Sequence, residues 1–140
     1  MFILYKYFRP MLALYVICQS FAYSQISLNE FMASNSTILC DDYDEFDDWV
    51  ELGNSTLDTI NLFGWYISDD QSDPFKHEIL DSIYILPDSV LIMWADNDPE
   101  QGINHLSFKL SSQGEEIIIS NPDQFQVDHI IFGEHTSDIS

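Results

Sequence analysis

The sequence predicts an all-β fold, a sandwich or barrel of roughly eight short strands. From Ile26 onward the apolar residues come in short bursts separated by turn-forming residues, and no stretch keeps a helical period over three turns. The chain has 140 residues, of which 46% are hydrophobic and 14% aromatic. This composition is too apolar for a disordered protein, and the length allows one domain with its own core.

Eight bursts are predicted to be strands. In chain order they span residues 26–33, 49–52, 59–62, 65–68, 90–95, 105–110, 116–120 and 126–132. In the second burst Val50 and Leu52 alternate with Trp49 and Glu51, as in a strand with one buried face. The connections between bursts are rich in Gly, Pro, Asn and Asp, the residues that tight turns require.

Two of the bursts do not alternate. Residues 90–94 and 117–119 are apolar throughout, which predicts central strands covered on both faces or a second surface that meets a partner. Residues 75–80 fit a single helical turn, but the pattern does not decide their conformation.

The first 24 residues predict a signal peptide. Lys6 and Arg9 precede a short apolar run, residues 11–18, and a small-residue exit ends at Ser24. The run is too short to span a bilayer, so we expect cleavage after Ser24 and a secreted or cell-surface protein without a stable membrane span. The alternative is an uncleaved membrane anchor. The predicted organisation is thus a signal peptide over residues 1–24 and a β-sandwich domain over residues 25–140.

The charge of the chain is strongly negative. With 24 acidic and four basic side chains the formal net charge is −20. Two of the four bases, Lys6 and Arg9, lie in the predicted signal peptide, which leaves 24 acids against two lysines and a net charge of −22. Unaided nucleic-acid binding is excluded, because phosphate recognition needs clustered Lys and Arg. Cleavage would also leave Cys40 without an intrachain disulfide partner.

Acidic loops are the candidate metal sites. Residues 41–48 carry six carboxylates in eight positions, and residues 96–100 carry acids at alternate positions. Clustered carboxylates can supply the six to eight oxygens that Ca²⁺ takes, although neither spacing is that of an EF-hand. The candidate Ca²⁺ ligands are Asp41, Asp42, Asp44, Asp47, Asp48, Asp96 and Asp98. The alternative is a solvated acidic surface, and no cofactor is required.

Catalysis has little support in the sequence. The four histidines, His77, His105, His129 and His135, are dispersed and lack zinc-protease spacing, and no nucleophile elbow or phosphate loop occurs. We therefore predict a non-enzymatic protein with hydrogen-bonded histidines and no catalytic residue.

The tryptophans offer a different kind of site. Trp65 and Trp94 are predicted to lie in the core. Trp49 lies opposite Val50 in the alternation, so it is predicted to face outward and is the candidate ligand contact, for example to a sugar.

Five features in series resemble the lamin tail domain in its bacterial, exported form. They lie in residues 27–52, 60–70, 94–99, 108–116 and 127–140. The resemblance implies an immunoglobulin-like β-sandwich without a catalytic centre that serves as an interaction or tethering module. Gly53 departs from the family pattern, which usually has an aromatic residue there. The family pattern also continues past residue 140 with one more strand, so we expect either a fragment of a longer protein or a missing closing strand and an exposed sheet edge.

Three functions remain open at this point. The first is a tethering module that binds a protein or a surface polysaccharide. The second is a Ca²⁺-dependent adhesion or carbohydrate-binding domain. The third is an accessory domain of a larger secreted hydrolase.

Overall fold

Residues 26–140 fold into nine β-strands in a computed structural model. The strands are β1 (Ile26–Met32), β2 (Asp48–Asn54), β3 (Ile60–Asn61), β4 (Tyr66–Ser68), β5 (His77–Glu78), β6 (Tyr84–Ile85), β7 (Ser89–Ala95), β8 (Glu115–Ser120) and β9 (Gln126–Phe132). Their order is β1-β2-β7 in one sheet, β5-β4-β8-β9 in a second and β3-β6 in a small third, with all pairs antiparallel. The predicted all-β, immunoglobulin-like sandwich is confirmed. The predicted signal peptide lies outside the described residues.

One hydrophobic core joins the three sheets. Val50 and Leu52 of β2, Ile67 of β4, and Ile117 and Ile119 of β8 all belong to it and are almost fully buried. Each such side chain contributes about 1.5–3 kcal/mol on burial. Ile118, on the other face of β8, is buried as well. The apolar run 117–119 is thus a central strand covered on both faces, flanked by β4 and β9.

Most predicted strands are present, but the prediction of a strand at residues 105–110 is wrong. Residues 105–110 form only two isolated bridges, Trp94 with His105 and Asp96 with Lys109. Leu106, Phe108 and Leu110 are buried, so their alternation is real. The alternation reflects the burial of these side chains and does not indicate a regular ladder of strand hydrogen bonds. The backbone of this segment instead bonds to β7 and the loop after it at scattered points.

Smaller differences concern turns and short strands. Gly53 and Asn54 fall in a predicted connection after the second burst, but they are the last residues of β2 and pair with β1 and β7. The undecided segment 75–80 contains β5 and no helix, and β6 was not predicted. In the part of the chain that the structure describes, no helix has the length and hydrophobicity needed to cross a bilayer.

The three tryptophans are all buried. Trp65 lies in the main core and Trp94 in a second cluster with Met32 and Trp49, so the prediction for Trp65 and Trp94 is confirmed. The prediction that Trp49 faces outward is wrong, since only 5% of it is exposed. Trp49 pairs directly with Trp94 across β2 and β7. The alternation was correct, but the outer face of this sheet is covered too.

Residues 133–140 form no strand and run back to the β1–β2 loop. Asp138 accepts hydrogen bonds from the backbone N–H groups of Ser36 (2.6 Å) and Thr37 (3.1 Å) and from both hydroxyls. The bonds from Ser36 and Thr37 hold the pKa of the Asp138 carboxyl below its usual value. The last described segment is therefore attached to the fold by side-chain capping.

Candidate binding face and acidic cluster

The β3–β6 ribbon exposes apolar side chains on its outer face. Ile60 and Ile85 pair and point into the core, whereas the neighbouring pair, Asn61 and Tyr84, points outward. The pairing continues past β3, because the N–H of Leu62 donates to the carbonyl of Ile83 at 2.8 Å. The period of two therefore predicts one shared outer face for the alternate residues of both strands.

Three large side chains on this outer face are more than half exposed. They are Phe63, Tyr84 and Leu86, and we call them the ribbon face. Asn61 pairs with Tyr84 and donates its side-chain N–H to the Ser82 hydroxyl at 3.1 Å. Clustered exposed apolar groups mark interaction sites more often than single ones do. The ribbon face is the candidate contact surface of the domain.

A second feature is a cluster of carboxylates beside the tryptophan pair. Asp96 follows β7 and Asp47 precedes β2, each two residues from a paired tryptophan, so both lie on the outer face of that sheet. Their proximity is evident in the pKa of Asp47, which burial and then the neighbouring Asp96 carboxylate raise above its usual value. Lys109 opposes this effect only weakly, since its Nζ is 3.9 Å from Asp47 Oδ1 and the lysine is largely exposed.

The loop before β2 brings Asp41 to the same place. The Oδ1 atom of Asp41 accepts the N–H groups of Tyr43 (2.8 Å) and Glu45 (2.9 Å), and the Asp41 N–H donates to the Glu45 carbonyl (3.0 Å). Asp44 completes the turn in the left-handed region, with φ of 61°. The turn leaves Asp41 Oδ2 buried without a hydrogen-bond partner among the described residues.

The loop after β7 supplies a histidine. The N–H of His105 donates to the Gly102 carbonyl (3.1 Å), and the His105 ring is hydrogen-bonded through Nδ1 to Asp96 Oδ2. The other Asp96 oxygen accepts the Asp98 N–H at 2.9 Å. Tyr43 covers the histidine edge-on, with the ring centroids 6.1 Å apart.

Two overlapping groups of donor atoms result. Asp41, Asp96 and His105 each place one donor atom within 4.8 Å of the others, and Asp41 forms a second such group with Glu45 and Asp47. We call the first group the buried triad, since its residues are 7%, 6% and 3% exposed.

The candidate Ca²⁺ ligands are thus only partly brought together. Asp41, Asp47 and Asp96 belong to the two groups, whereas Asp42, Asp44 and Asp98 are exposed and belong to neither. Asp48 accepts the Asn35 N–H at 3.1 Å and holds the start of the loop, and burial raises its pKa. Trp49 is buried and offers no surface for a sugar.

Sequence reasoning missed two members of these groups, Glu45 and His105. His105 was treated as a dispersed histidine, and no local motif links it to Asp96. The two residues meet because the segment after β7 folds back beside the end of that strand, where Trp94 bridges His105.

The other histidines have mixed environments. His77 Nδ1 accepts the Ser107 N–H at 3.1 Å, and burial holds the pKa of His77 below its usual value. His129 bonds to Glu116 at 2.8 Å. The predicted hydrogen-bonded histidines are confirmed here and at His105, but His135 Nε2 is buried without a partner among the described atoms.

Comparison with known families identifies the domain. A model of the Lamin Tail Domain family matches residues 19–133. The chain belongs to this family. Lamin tail domains are generally non-catalytic, although they occur within larger enzymes. No curated protein matches the chain.

Proposed function

We propose that this lamin tail domain is an exported, non-enzymatic tethering module that binds a basic protein through its ribbon face. The observation that carries the proposal is the exposure of Phe63, Tyr84 and Leu86 on one side of the β3–β6 ribbon. Rigid aromatic groups beside aliphatic ones are typical anchors of protein interfaces.

The charge of the domain supports a basic partner. Residues 26–140 carry 24 acids and two lysines, Lys76 and Lys109. Lys76 is engaged with Asp69 at 2.6 Å, and Lys109 lies near Asp47. A surface with this excess of negative charge repels acidic partners, and it accelerates encounter with basic ones in a salt-dependent way.

Export predicts a defined N-terminus for the mature protein. Lys6, Arg9 and the apolar run that follows support cleavage after Ser24. We expect mass spectrometry of the chain recovered from its host's cell surface or medium to show Gln25 as the first residue. Recovery of the full chain with Met1 from the cell interior would contradict export.

Photo-crosslinking tests the contact itself. A benzophenone amino acid replaces Tyr84 in cells of the native host, and a second variant carries the same group at Ile131, an equally hydrophobic exposed site on β9. From position 84 we expect a discrete adduct that yields peptides of a second, basic protein by mass spectrometry, and from position 131 we expect none. The adduct should disappear with Phe63→Ser and weaken as salt rises from about 0.05 to 0.5 M, because screening shortens the range of charge attraction.

Each alternative has its own outcome. An adduct whose added mass contains sugar and no peptide of a second protein would indicate a polysaccharide ligand and overturn the protein partner. Equal adducts at both positions, or none at position 84, would show that the ribbon face is not the contact surface.

A further inference from the structure

We propose that the buried triad, Asp41, Asp96 and His105, binds a divalent transition-metal ion of the zinc class. The triad joins two loops that the sequence separates, the loop before β2 and the loop after β7. This site is independent of the ribbon face, so either proposal can fail without the other.

The first observation is the geometry of the donors. One carboxylate oxygen from each aspartate and one ring nitrogen of the histidine lie within 4.8 Å of one another. An ion about 2.0–2.2 Å from each donor fits between atoms at such separations after small rotations of Asp96 and His105, while the turn keeps the Asp41 carboxylate in place.

The second observation is the unpaired oxygen of Asp41. Its Oδ2 is buried and accepts no hydrogen bond from any described residue, while Oδ1 is held by two backbone N–H groups. A buried carboxylate oxygen without a donor carries the full cost of its desolvation, which is larger when the group is charged. Because the turn fixes the carboxylate, the oxygen cannot rotate to find a donor without breaking those bonds. A bound cation removes this cost.

The third observation is the balance of charge. The two overlapping groups contain four carboxylates, those of Asp41, Glu45, Asp47 and Asp96. Among the described residues, Lys109 reaches Asp47 at 3.9 Å and His105 is hydrogen-bonded to Asp96, but no lysine or arginine forms an ion pair with Asp41 or Glu45. Buried carboxylates need a paired positive charge, and a metal ion is often the largest charge in such a site.

The histidine selects the class of metal. Ca²⁺ and Mg²⁺ take oxygen ligands, whereas imidazole suits zinc and its transition-metal neighbours. Imidazole and carboxylate are both zinc ligands, and three protein ligands leave a fourth position of the tetrahedron open. The overlapping group, which shares Asp41 with the triad, adds the carboxylates of Glu45 and Asp47 to the surroundings of the site. The ligands of this cluster therefore suit zinc better than the Ca²⁺ expected from the sequence.

Metal titration of the full chain tests the proposal. The chain is stripped with a chelator, and ZnCl₂ and CaCl₂ are titrated separately by calorimetry and by thermal unfolding. We expect about one equivalent of Zn²⁺ to bind and raise the unfolding temperature, since a ligand of the folded state stabilises it. Millimolar Ca²⁺ should leave the unfolding temperature unchanged.

Three variants locate the ion. Asp41→Asn keeps the Oδ1 acceptor of the turn and removes the buried charge, so the metal-free fold is retained. We expect Asp41→Asn and His105→Gln each to weaken Zn²⁺ binding at least about 100-fold, the upper end of the effect of outer-shell changes. The matched control is Asp44→Asn, which removes the same charge from the same loop at an exposed residue outside the triad. Its affinity should match that of the unaltered chain.

Three results would overturn the proposal. The first is no saturable Zn²⁺ binding by the full chain. The second is equal loss of affinity in Asp44→Asn and Asp41→Asn, which would indicate diffuse attraction to an acidic surface. The third is Ca²⁺ binding as tight as Zn²⁺ binding and unaffected by His105→Gln. If His105→Gln does not fold, the comparison of Asp41→Asn with Asp44→Asn still tests the site, and Ca²⁺ binding as tight as Zn²⁺ binding by the full chain still overturns the choice of metal.

Discussion

Replacing Trp94 with alanine is expected to lower the free energy of unfolding by about 3–5 kcal/mol, the range found when a buried tryptophan or phenylalanine is truncated. Trp94 is 7% exposed and packs with Met32 and Trp49 on the outer face of the β1-β2-β7 sheet. The substitution removes the indole and leaves a cavity beside Trp49, whose ring cannot fill it without leaving its paired position.

The loss is large for a domain of this size, because small domains have a total stability of about 5–15 kcal/mol. The midpoint of thermal unfolding should fall by roughly 10 °C or more. Urea unfolding followed by far-UV circular dichroism measures the change, since tryptophan fluorescence is itself altered by the substitution.

The matched control is Tyr84→Ala, which also removes a large aromatic ring from a strand. Tyr84 lies on the ribbon face and is more than half exposed, so its removal should change the stability by less than about 0.5 kcal/mol. Equal effects of the two substitutions would contradict the burial of Trp94 in the second cluster.

The long strands were predictable because their patterns are local. In β2, Val50 and Leu52 alternate with Trp49 and Glu51, and in β8 residues 117–119 form an unbroken apolar run. Each pattern indicates which side chains of its own strand are buried. The burial of Trp49 was not predictable in this way. Alternation states which face a residue is on, and it does not state whether loops from elsewhere cover that face.

The short strands and residues 105–110 show the same limit. β5 and β6 have two residues each, too few for a period to be read. Leu106, Phe108 and Leu110 do alternate, and they are buried, but their backbone groups find partners outside a regular ladder. Hydrogen-bond partners depend on the neighbouring segment, which the local sequence does not contain.

The acidic cluster was predictable as a region and not as a set of ligands. The composition of residues 41–48 indicated a candidate loop, yet only Asp41 of that loop reaches the buried triad. A local turn, built on the N–H groups of Tyr43 and Glu45, selects Asp41. His105 enters through a contact with Asp96 across a loop, which no short motif encodes.

Replacing Gly114 with alanine is the second substitution with a large expected effect. Gly114 has φ of 103°, a conformation that residues with a side chain rarely adopt, and it ends the turn that leads into β8. A Cβ atom there would lie 2.8 Å from the Phe132 carbonyl oxygen and 2.9 Å from two backbone atoms of Gly133. Because these are backbone atoms, no side-chain rotation relieves the contact.

The end of β9 must therefore move away from β8, where Glu115 pairs with Phe132. Backbone strain costs about 1–3 kcal/mol and a steric clash of this kind a similar amount, so we expect Gly114→Ala to lower the free energy of unfolding by about 2–4 kcal/mol. Urea unfolding measures the change in the free energy of unfolding. Hydrogen exchange should accelerate more at the amides of β8 and β9 than at those of β2 and β7.

The adjacent strand end supplies a control of opposite sign. Gly133 has no atom within 4 Å of the position of an added Cβ, and its φ is not in the left-handed range. Gly133→Ala should therefore stabilise the domain by about 0.4–1 kcal/mol, because alanine reduces the conformational entropy of the unfolded chain. Destabilisation by both substitutions would show that the junction of β8 and β9 is packed differently. Opposite signs would establish that the close approach at Gly114, and not the mere loss of a glycine, holds this edge of the sandwich together.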